Sequence, residues 1–301
     1  MNFTQLRYFV AAGELENLSL AAMRLHIAQS AVSRQIRLLE EELGVRLLER
    51  VGRGVVLTEA GRTLLERSRD LFEQADRIKA EVIDRAHSPS GTLRIGANPS
   101  FGHVLFPRLA ERCWRTHPNI RLHLVTDLTT PVQDWVRRGA LDFAIISFPE
   151  RDSDLIGTPL TREHIHLISA PSIDPGLGPE CSMRSVASLP LLLPGLPNRE
   201  RLGYERLAAA KGHSLTCGIE SDSLSVLKRL AQRGLGHLML PYIAIAEDKI
   251  EPFWKTSRVS GLTVERHIVR SARHPITKTM QVVLDLIFEE IETFRASGII
   301  D

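Results

Sequence analysis

The sequence predicts an α+β multidomain protein: an N-terminal winged helix-turn-helix, a long linker helix, and a C-terminal two-lobed α/β domain. Three observations predict it. Residues 19–40 split into two short runs of helical apolar periodicity around a tight turn. Residues 58–85 carry Leu64, Leu71 and Ile78 at seven-residue spacing. From residue 91 onward, short β-branched runs alternate with helical ones. At 301 residues the chain exceeds what one core usually supports, so two or three domains are expected.

Residues 2–14 are amphipathic, with Leu6, Phe9 and Val10 as the apolar face of a helix that packs under the two-helix unit. Ser19 is the expected cap of the next helix, in which Ala22 and Leu25 share a face and Ala22 admits close approach. After the turn, Val32, Ile36, Leu39 and Leu43 make an apolar stripe. Gln29, Ser30, Ser33, Arg34 and Arg37 fall away from it. Residues 45–57 place β-branched side chains around Gly52-Arg53-Gly54, the pattern of a small hairpin or wing. Thr58 then caps a helix running to about residue 85, which would extend roughly 40 Å at 1.5 Å per residue. Ser68, Ala75 and Val82 form a companion seam to Leu64, Leu71 and Ile78, and the a/d spacing implies a partner helix. The alternative is a helix packed on its own domain.

Pro89 and Gly91 mark a linker at residues 87–91. Beyond it, strands are expected at 92–97, 120–125, 141–146, 164–169, 189–193, 214–220 and 238–240. Helices are expected at 104–117, 131–138, 201–211, 224–232 and 277–295. This alternation implies a mostly parallel sheet covered on both faces, in two lobes with a ligand cleft at the strand C-termini. The expected domains are 1–58, the linker helix 59–90, and 91–301. Within the last, one lobe takes 91–162 and 268–301, and the other 163–267.

Composition narrows the function. Apolar content of 43% and charged content of 25% are those of an ordinary soluble globular protein, and 5% aromatics disfavours binding single strands by base stacking. The first residues lack a basic start followed by an apolar run, and no segment approaches the ~20 apolar residues of a bilayer span, so a cytoplasmic protein is expected. Cys113, Cys181 and Cys217 have no metal-type spacing, which fits reduced thiols; a Cys181/Cys217 redox pair is the alternative. His164 and His166 share a strand face without a third ligand, so no metal is expected, and His26 and His237 read as structural. The net charge of +2 does not by itself point to nucleic acid, and residues 1–90 hold 13 basic and 13 acidic side chains. Binding must come from local placement, as Arg34, Arg37, Arg50 and Arg53 cluster while Glu40, Glu41 and Glu42 lie at the far end of the helix.

A helix that buries one face and offers Gln29, Ser30, Ser33, Arg34 and Arg37 on the other suits a major groove of double-stranded DNA. Gln29 and Arg34 can make paired hydrogen bonds to base edges, the serines and Arg37 suit phosphates, and Arg50 and Arg53 reach backbone or minor groove. An ordinary solvated helix face is the competing account. There is no phosphate-cradling glycine loop, no Gly-x-Ser-x-Gly elbow and no metal pattern, so an enzyme is not expected. A solute-binding transport component would explain the cleft but not the first 90 residues.

The ordered series Leu6-Arg-Tyr-Phe9, Ala21-Ala22, Leu25-His26, Gln29, Ala31-Val-Ser33-Arg34-Gln35-Ile36, Leu39-Glu40, Leu43-Gly44, Leu47-Leu48-Glu49-Arg50 and Leu57-Thr58-Glu59-Ala60-Gly61 resembles the LysR-type bacterial transcriptional regulators. Gly91-Thr-Leu-Arg-Ile-Gly96, Gly139-Ala-Leu-Asp142-Phe-Ala-Ile145 and Gly234-Leu-Gly236-His-Leu-Met-Leu-Pro241 resemble their effector-binding domain. Residues 191–198 and 220–224 are similar to the nitrogen-assimilation-control branch. The resemblance implies a dimerising linker helix using Leu64, Leu71, Ala75, Ile78 and Val82, and a periplasmic-binding-protein-like effector domain. It further implies a homotetramer built as a dimer of dimers on an interrupted palindromic operator, and RNA polymerase as a further partner. The effector is a small molecule, with no other cofactor. The resemblance points to Ser100, Thr129, Ser147, Phe148, Pro149, Pro194, Asn198, Ser223 and Pro241 around it. Hydroxyls and free N–H groups at helix starts there suit an organic anion. Helix capping is the alternative for Ser100 and Thr129, and a solvated side chain the alternative to an anion partner at Arg201. Ser30 departs from the family's frequent proline, and Leu196 and Arg199 from its frequent Arg and Gly.

Overall fold

The computed structural model describes residues 1–52, 54–84, 89–248 and 254–300, apart from the side chains of 73, 76, 77 and 79–84. Arg53, residues 85–88 of the linker and the Val82 side chain lie outside the described residues. The chain divides into two units, Met1–Lys79 and Ala80–Asp301.

In the first unit, helix α1 (Phe3–Leu15) starts in a capping box: Asn2 Oδ1 accepts from Gln5 N and Gln5 Oε1 from Asn2 N, both at 2.9 Å. Helix α2 (Leu18–Leu25) is capped by Asn17 rather than by Ser19. Asn17 Oδ1 accepts from Ser19 N at 2.9 Å and Leu20 N at 3.1 Å, which moves Ser19 inside the first turn. The Asn side chain supplies the same acceptor two residues earlier, so the helix simply begins sooner. Helix α3 is Gln29–Leu43. Leu6, Phe9, Ala21, Ala22, Val32, Ile36 and Leu39 share one core. Leu43 leaves the expected stripe, 40% exposed at the last turn before Gly44.

Strands β1 (Leu48–Val51) and β2 (Gly54–Leu57) form the hairpin, pairing Leu48 with Leu57 and Val51 with Gly54. Glu40 Oε1 fixes its entry by accepting from Leu47 N at 2.8 Å and Leu48 N at 3.1 Å. Helix α4 (Glu59–Asp84) follows, with Thr58 Oγ1 accepting from Gly61 N at 2.9 Å. A Cβ at Gly61 would lie 2.1 Å from the Leu47 carbonyl oxygen, so only glycine lets α4 start against β1.

The second unit runs β3 (Gly91–Ala97), α5 (Pro99–Thr116), β4 (Ile120–Thr126), α6 (Thr129–Arg138), β5 (Phe143–Ser147), then a long β6 (Leu155–Ser169). It continues with β7 (Glu180–Cys181), α7 (Met183–Ala187), β8 (Leu191–Leu193), α8 (Arg199–Ala209), β9 (Cys217–Glu220), α9 (Leu224–Gln232), β10 (His237–Pro241), β11 (Lys255–Ser271) and α10 (Lys278–Ala296). The sheet order is β4-β3-β5-β11-β6-β10-β8-β9, with β7 beside β11.

This corrects the expectation of a mostly parallel sheet. β4, β3 and β5 are parallel, and so are β10, β8 and β9, but β11 is antiparallel to both β5 and β6, and β6 to β10. Two long strands thus run through both α/β halves. β11 has no counterpart among the expected strands because Gly261 and charged residues interrupt its apolar pattern, and Arg266 occupies an inward position. Helix α5 begins at Pro99 rather than at 104, its first turn opened by a proline that needs no N–H partner.

Candidate nucleic-acid face and ligand cleft

Helices α2 and α3 are joined through His26, Ile27 and Ala28. His26 takes a left-handed conformation (φ 54°), and its N–H closes the end of α2 on the Met23 carbonyl at 3.2 Å. The turn leaves α3 with Val32, Ile36 and Leu39 in the core. Gln29, Ser30, Arg34 and Arg37 are exposed on the opposite side and Ser33 is half-buried. No side chain caps α3, so its first amides face outward with the positive end of the helix dipole. Several arginines elsewhere in the unit are neutralised by carboxylates. Arg24 and Arg69 both reach Glu14 at 3.0 Å and Arg46 lies 3.6 Å from Glu40. Among the described residues no ion pair engages Arg34, Arg37 or Arg50. Unneutralised arginines beside an uncapped helix start are suited to phosphates and base edges.

The five proposed seam positions on α4 divide. Leu64 is half-buried against the core of the first unit, beside buried Leu65 and Ser68 and with Phe72. Leu71 and Ile78 are 36% and 63% exposed and Ala75 is half-buried. The first turns of α4 therefore serve their own unit, and the exposed apolar face begins at Leu71.

In the second unit, the carboxyl ends of β3, β4 and β5 deliver Asn98, Thr129 and Ser147 to one place. Asn98 Oδ1 accepts from Ser147 N at 2.8 Å, and Asn98 Nδ2 donates to Thr129 Oγ1 at 3.1 Å. Thr129 Oγ1 donates to the Ser147 carbonyl at 3.0 Å. Ser147 Oγ lies 2.5 Å from Glu200 Oε1 and 3.1 Å from Asn98 Oδ1; its single proton goes to the shorter, charge-assisted contact. Thr129 and Ser100 each lie within a helix start, but neither caps it: Ser100 Oγ accepts from Arg266 Nη2 at 3.1 Å.

Beside this network opens a cleft of about 210 Å³, continuous with solvent. Leu128, Thr129, Thr130 and Pro131 form one wall, and the loop from Gly195 to Asn198, with Arg199 and Asp222, the other. Thr129 and Asn198 are thus the sequence-derived residues that line it. Asn198 Oδ1 caps α8 through Arg201 N at 3.0 Å. Phe148 is held at φ 49°, its ring against Tyr204 with centroids 6.2 Å apart. Gly203 makes that approach possible, since a Cβ there would lie 2.6 Å from the Phe148 ring. Pro149 and Pro194 are half-buried, Ser223 caps α9 through Val226 N at 3.4 Å, and Pro241 is buried at the end of β10. Arg201 is not solvated: its guanidinium binds Glu205 at 2.9 Å, Glu220 at 2.5 Å and the Pro194 carbonyl at 2.9 Å.

The residue missed by sequence reasoning is Arg266. It is fully buried, with Nε 2.7 Å from Glu163 Oε1, Nη1 3.8 Å from Glu200 Oε1, and its guanidinium 4.9 Å from the centre of the Phe101 ring. Burial works against its charge, but Glu163 and Glu200 outweigh that and hold it protonated. Removing one partner of such a buried pair costs about 3–5 kcal/mol. The signal was present in the alternation Leu262, Val264, Arg266, Ile268, which puts the arginine on the buried face.

Cys113, Cys181 and Cys217 are free thiols, each pushed up by burial and therefore poor nucleophiles. Among the described residues, no group of three His, Cys, Asp or Glu side chains is placed to hold a metal, and no helix is long and apolar enough to cross a membrane.

Two family patterns match the chain: "Bacterial regulatory helix-turn-helix protein, lysR family" over residues 3–62 and "LysR substrate binding domain" over residues 86–292. The HTH-type transcriptional regulator BbuR of Bordetella bronchiseptica is 32% identical over 295 residues, covering 97% of this chain and 91% of that protein. The DNA-binding transcriptional dual regulator OxyR of Escherichia coli is 30% identical over 256 residues, covering 83% and 82%. In fold, the chain is similar to CbnR, a LysR family transcriptional regulator, with a TM-score of 0.75, 21% identity and 96% and 99% of the two chains covered. It is also similar to CbnR complexed with its target DNA, with a TM-score of 0.74, 23% identity and 97% and 99% covered.

Proposed function

The chain belongs to the LysR family of DNA-binding transcriptional regulators with an effector domain, and from that membership we propose how its own residues carry the two tasks. Helix α3 enters a major groove with Gln29 and Arg34 on base edges and Ser30, Ser33 and Arg37 on phosphates. Arg50 and Arg53 of the hairpin follow the backbone. The observation that carries this reading is the exposed set Arg34, Arg37 and Arg50, without carboxylate partners among the described residues, beside a helix start that no side chain caps. The protein acts in the cytoplasm as a homotetramer, a dimer of dimers joined along α4, on an interrupted palindrome. RNA polymerase is a further partner. A small organic anion between the α/β halves modulates it, with Thr129, Asn198 and the uncapped start of α6 facing the ligand. The chain acts as a regulator and not as an enzyme.

Footprinting of genomic DNA with the purified protein supplies the operator, and gel-shift titration on that site then tests the face. Arg34→Ala is expected to cost about 1–3 kcal/mol of specific binding. Unchanged operator affinity would remove Arg34 from base readout.

A further inference from the structure

The polar centre behind the cleft holds donors that no described residue satisfies. Arg266 Nε and Nη2 are engaged by Glu163 and Ser100, but Nη1 is buried without a hydrogen bond among the described residues. Glu200 Oε1 is its neighbour at 3.8 Å, beyond hydrogen-bond reach. The Tyr204 hydroxyl is buried and equally without a partner. So is Thr161 Oγ1, on the residue directly opposite Arg266 in the β6–β11 ladder. Tyr204 follows Glu200 by four residues and so shares its face of α8, and Glu200 is the residue that faces Arg266; the charges of Arg266 and Tyr204 also act on each other. A buried guanidinium edge and a buried hydroxyl are expensive to leave unmade, and both are donors.

We propose that Arg266 and Tyr204 form a receptor for the carboxylate of a small organic acid, which binds by displacing the Glu200 carboxylate. The inference rests on the effector-domain reading and names the ligand's chemistry. A carboxylate presents two acceptor oxygens, one for Arg266 Nη1 and one for the Tyr204 hydroxyl, and it is the partner that guanidinium geometry matches best. Charge dictates the exchange. One cation already faces two carboxylates, Glu163 and Glu200, so a third anion enters only as one leaves. Glu163 is buried within its pair; Glu200 lies on the first turn of α8 with 15% of its side chain exposed, and side-chain rotation takes it to solvent. Its departure frees the Ser147 hydroxyl as a further donor to the ligand. The exchange also has a mechanical result. Glu200 to Ser147, with Arg199 to the Phe148 carbonyl at 2.9 Å and to Glu150, ties α8 to the end of β5. Ligand binding removes the Glu200 strand of that tie.

Isothermal titration and thermal unfolding of the full-length protein with sodium acetate test this, against acetamide and sodium chloride at matched ionic strength. Arg266 is too deeply paired to substitute safely, so the informative variants are Glu200→Gln and Tyr204→Phe. The latter deletes a hydroxyl that has no partner among the described residues and should fold at least as well. Acetate, and not acetamide or chloride, is expected to bind and raise the midpoint. Glu200→Gln should bind acetate at least tenfold tighter than the parent, and Tyr204→Phe at least fivefold weaker. Acetate indistinguishable from acetamide in both parent and Glu200→Gln, or weaker binding by Glu200→Gln, overturns the proposal. Operator binding measured on the same preparations separates the readings: if it persists without any acetate response, only the carboxylate receptor falls.

Discussion

His237 has its ring buried on β10, 4% exposed, with Nδ1 2.7 Å from Ser169 Oγ. Burial lowers its pKa below the ordinary histidine value, against a weaker opposing pull from Asp174. The unfolded chain, with a histidine pKa near about 6.5, therefore takes up a proton at a higher pH than the folded one does. Between the two values the unfolded state binds more protons, so stability is full above about pH 6.5 and declines as pH falls through the window below it. Denaturant unfolding at pH 7.5 and 5.5 is expected to show lower stability at pH 5.5, and His237→Gln to narrow that gap. An unchanged gap in the variant would mean that His237 is not the titrating group. Phe148 stores strain of another kind: a bulky residue at φ 49° persists only because Gly203 admits its ring and Tyr204 packs against it. Such strain sits where the end of β5 meets α8, the junction that a ligand would act on.

At the scale of elements, the start of α4 is set by a close approach rather than by apolar area. Gly61 lies against the Leu47 carbonyl, and Thr58 N donates to that same oxygen at 3.0 Å. Gly61→Ala must push α4 from the hairpin or break that bond. It is expected to destabilise the first unit by about 1–3 kcal/mol despite alanine's better helix propensity. A stabilised variant in thermal unfolding would show that the approach is softer than its geometry indicates. Elements with one clean period were legible from sequence: α1, α3, the hairpin, α4 and α10 stand where spacing put them, to within a few residues at their ends. The cleft was legible only in part: the family resemblance points to Thr129 and Asn198, while Arg266 and Glu163 sit on strands whose inward positions are charged. A charge on a buried face erases the apolar alternation by which such strands are read, which hides β11; the first half of β6 is hidden instead by its exposure and by Gly157 and Pro159. Asn17 caps in place of Ser19 for a smaller reason: two residues of a capping type stand two positions apart, and where the core fixes the helix decides between them.

For the whole molecule, the balance of charge argues for assembly. Residues 1–90 carry equal numbers of basic and acidic side chains, so a single copy of this segment has little non-specific attraction for DNA and relies on a few arginines. Affinity then depends on holding two such units together, because the second engagement becomes intramolecular once the first is made. Leu71 and Ile78 leave an apolar strip on α4 that the described residues do not cover, 36% and 63% exposed, beyond the part of the helix that Leu64 and Leu65 anchor to the first unit. Ile78→Asp places a charge in that strip without touching the core of the first unit or the cleft. It is expected to shift the protein to a smaller species in light scattering and to lower operator affinity by about 10²-fold. The thermal response to acetate should remain that of the parent, since the carboxylate receptor is built within one chain. A variant that keeps both its oligomeric state and its operator affinity would show that assembly runs through another surface.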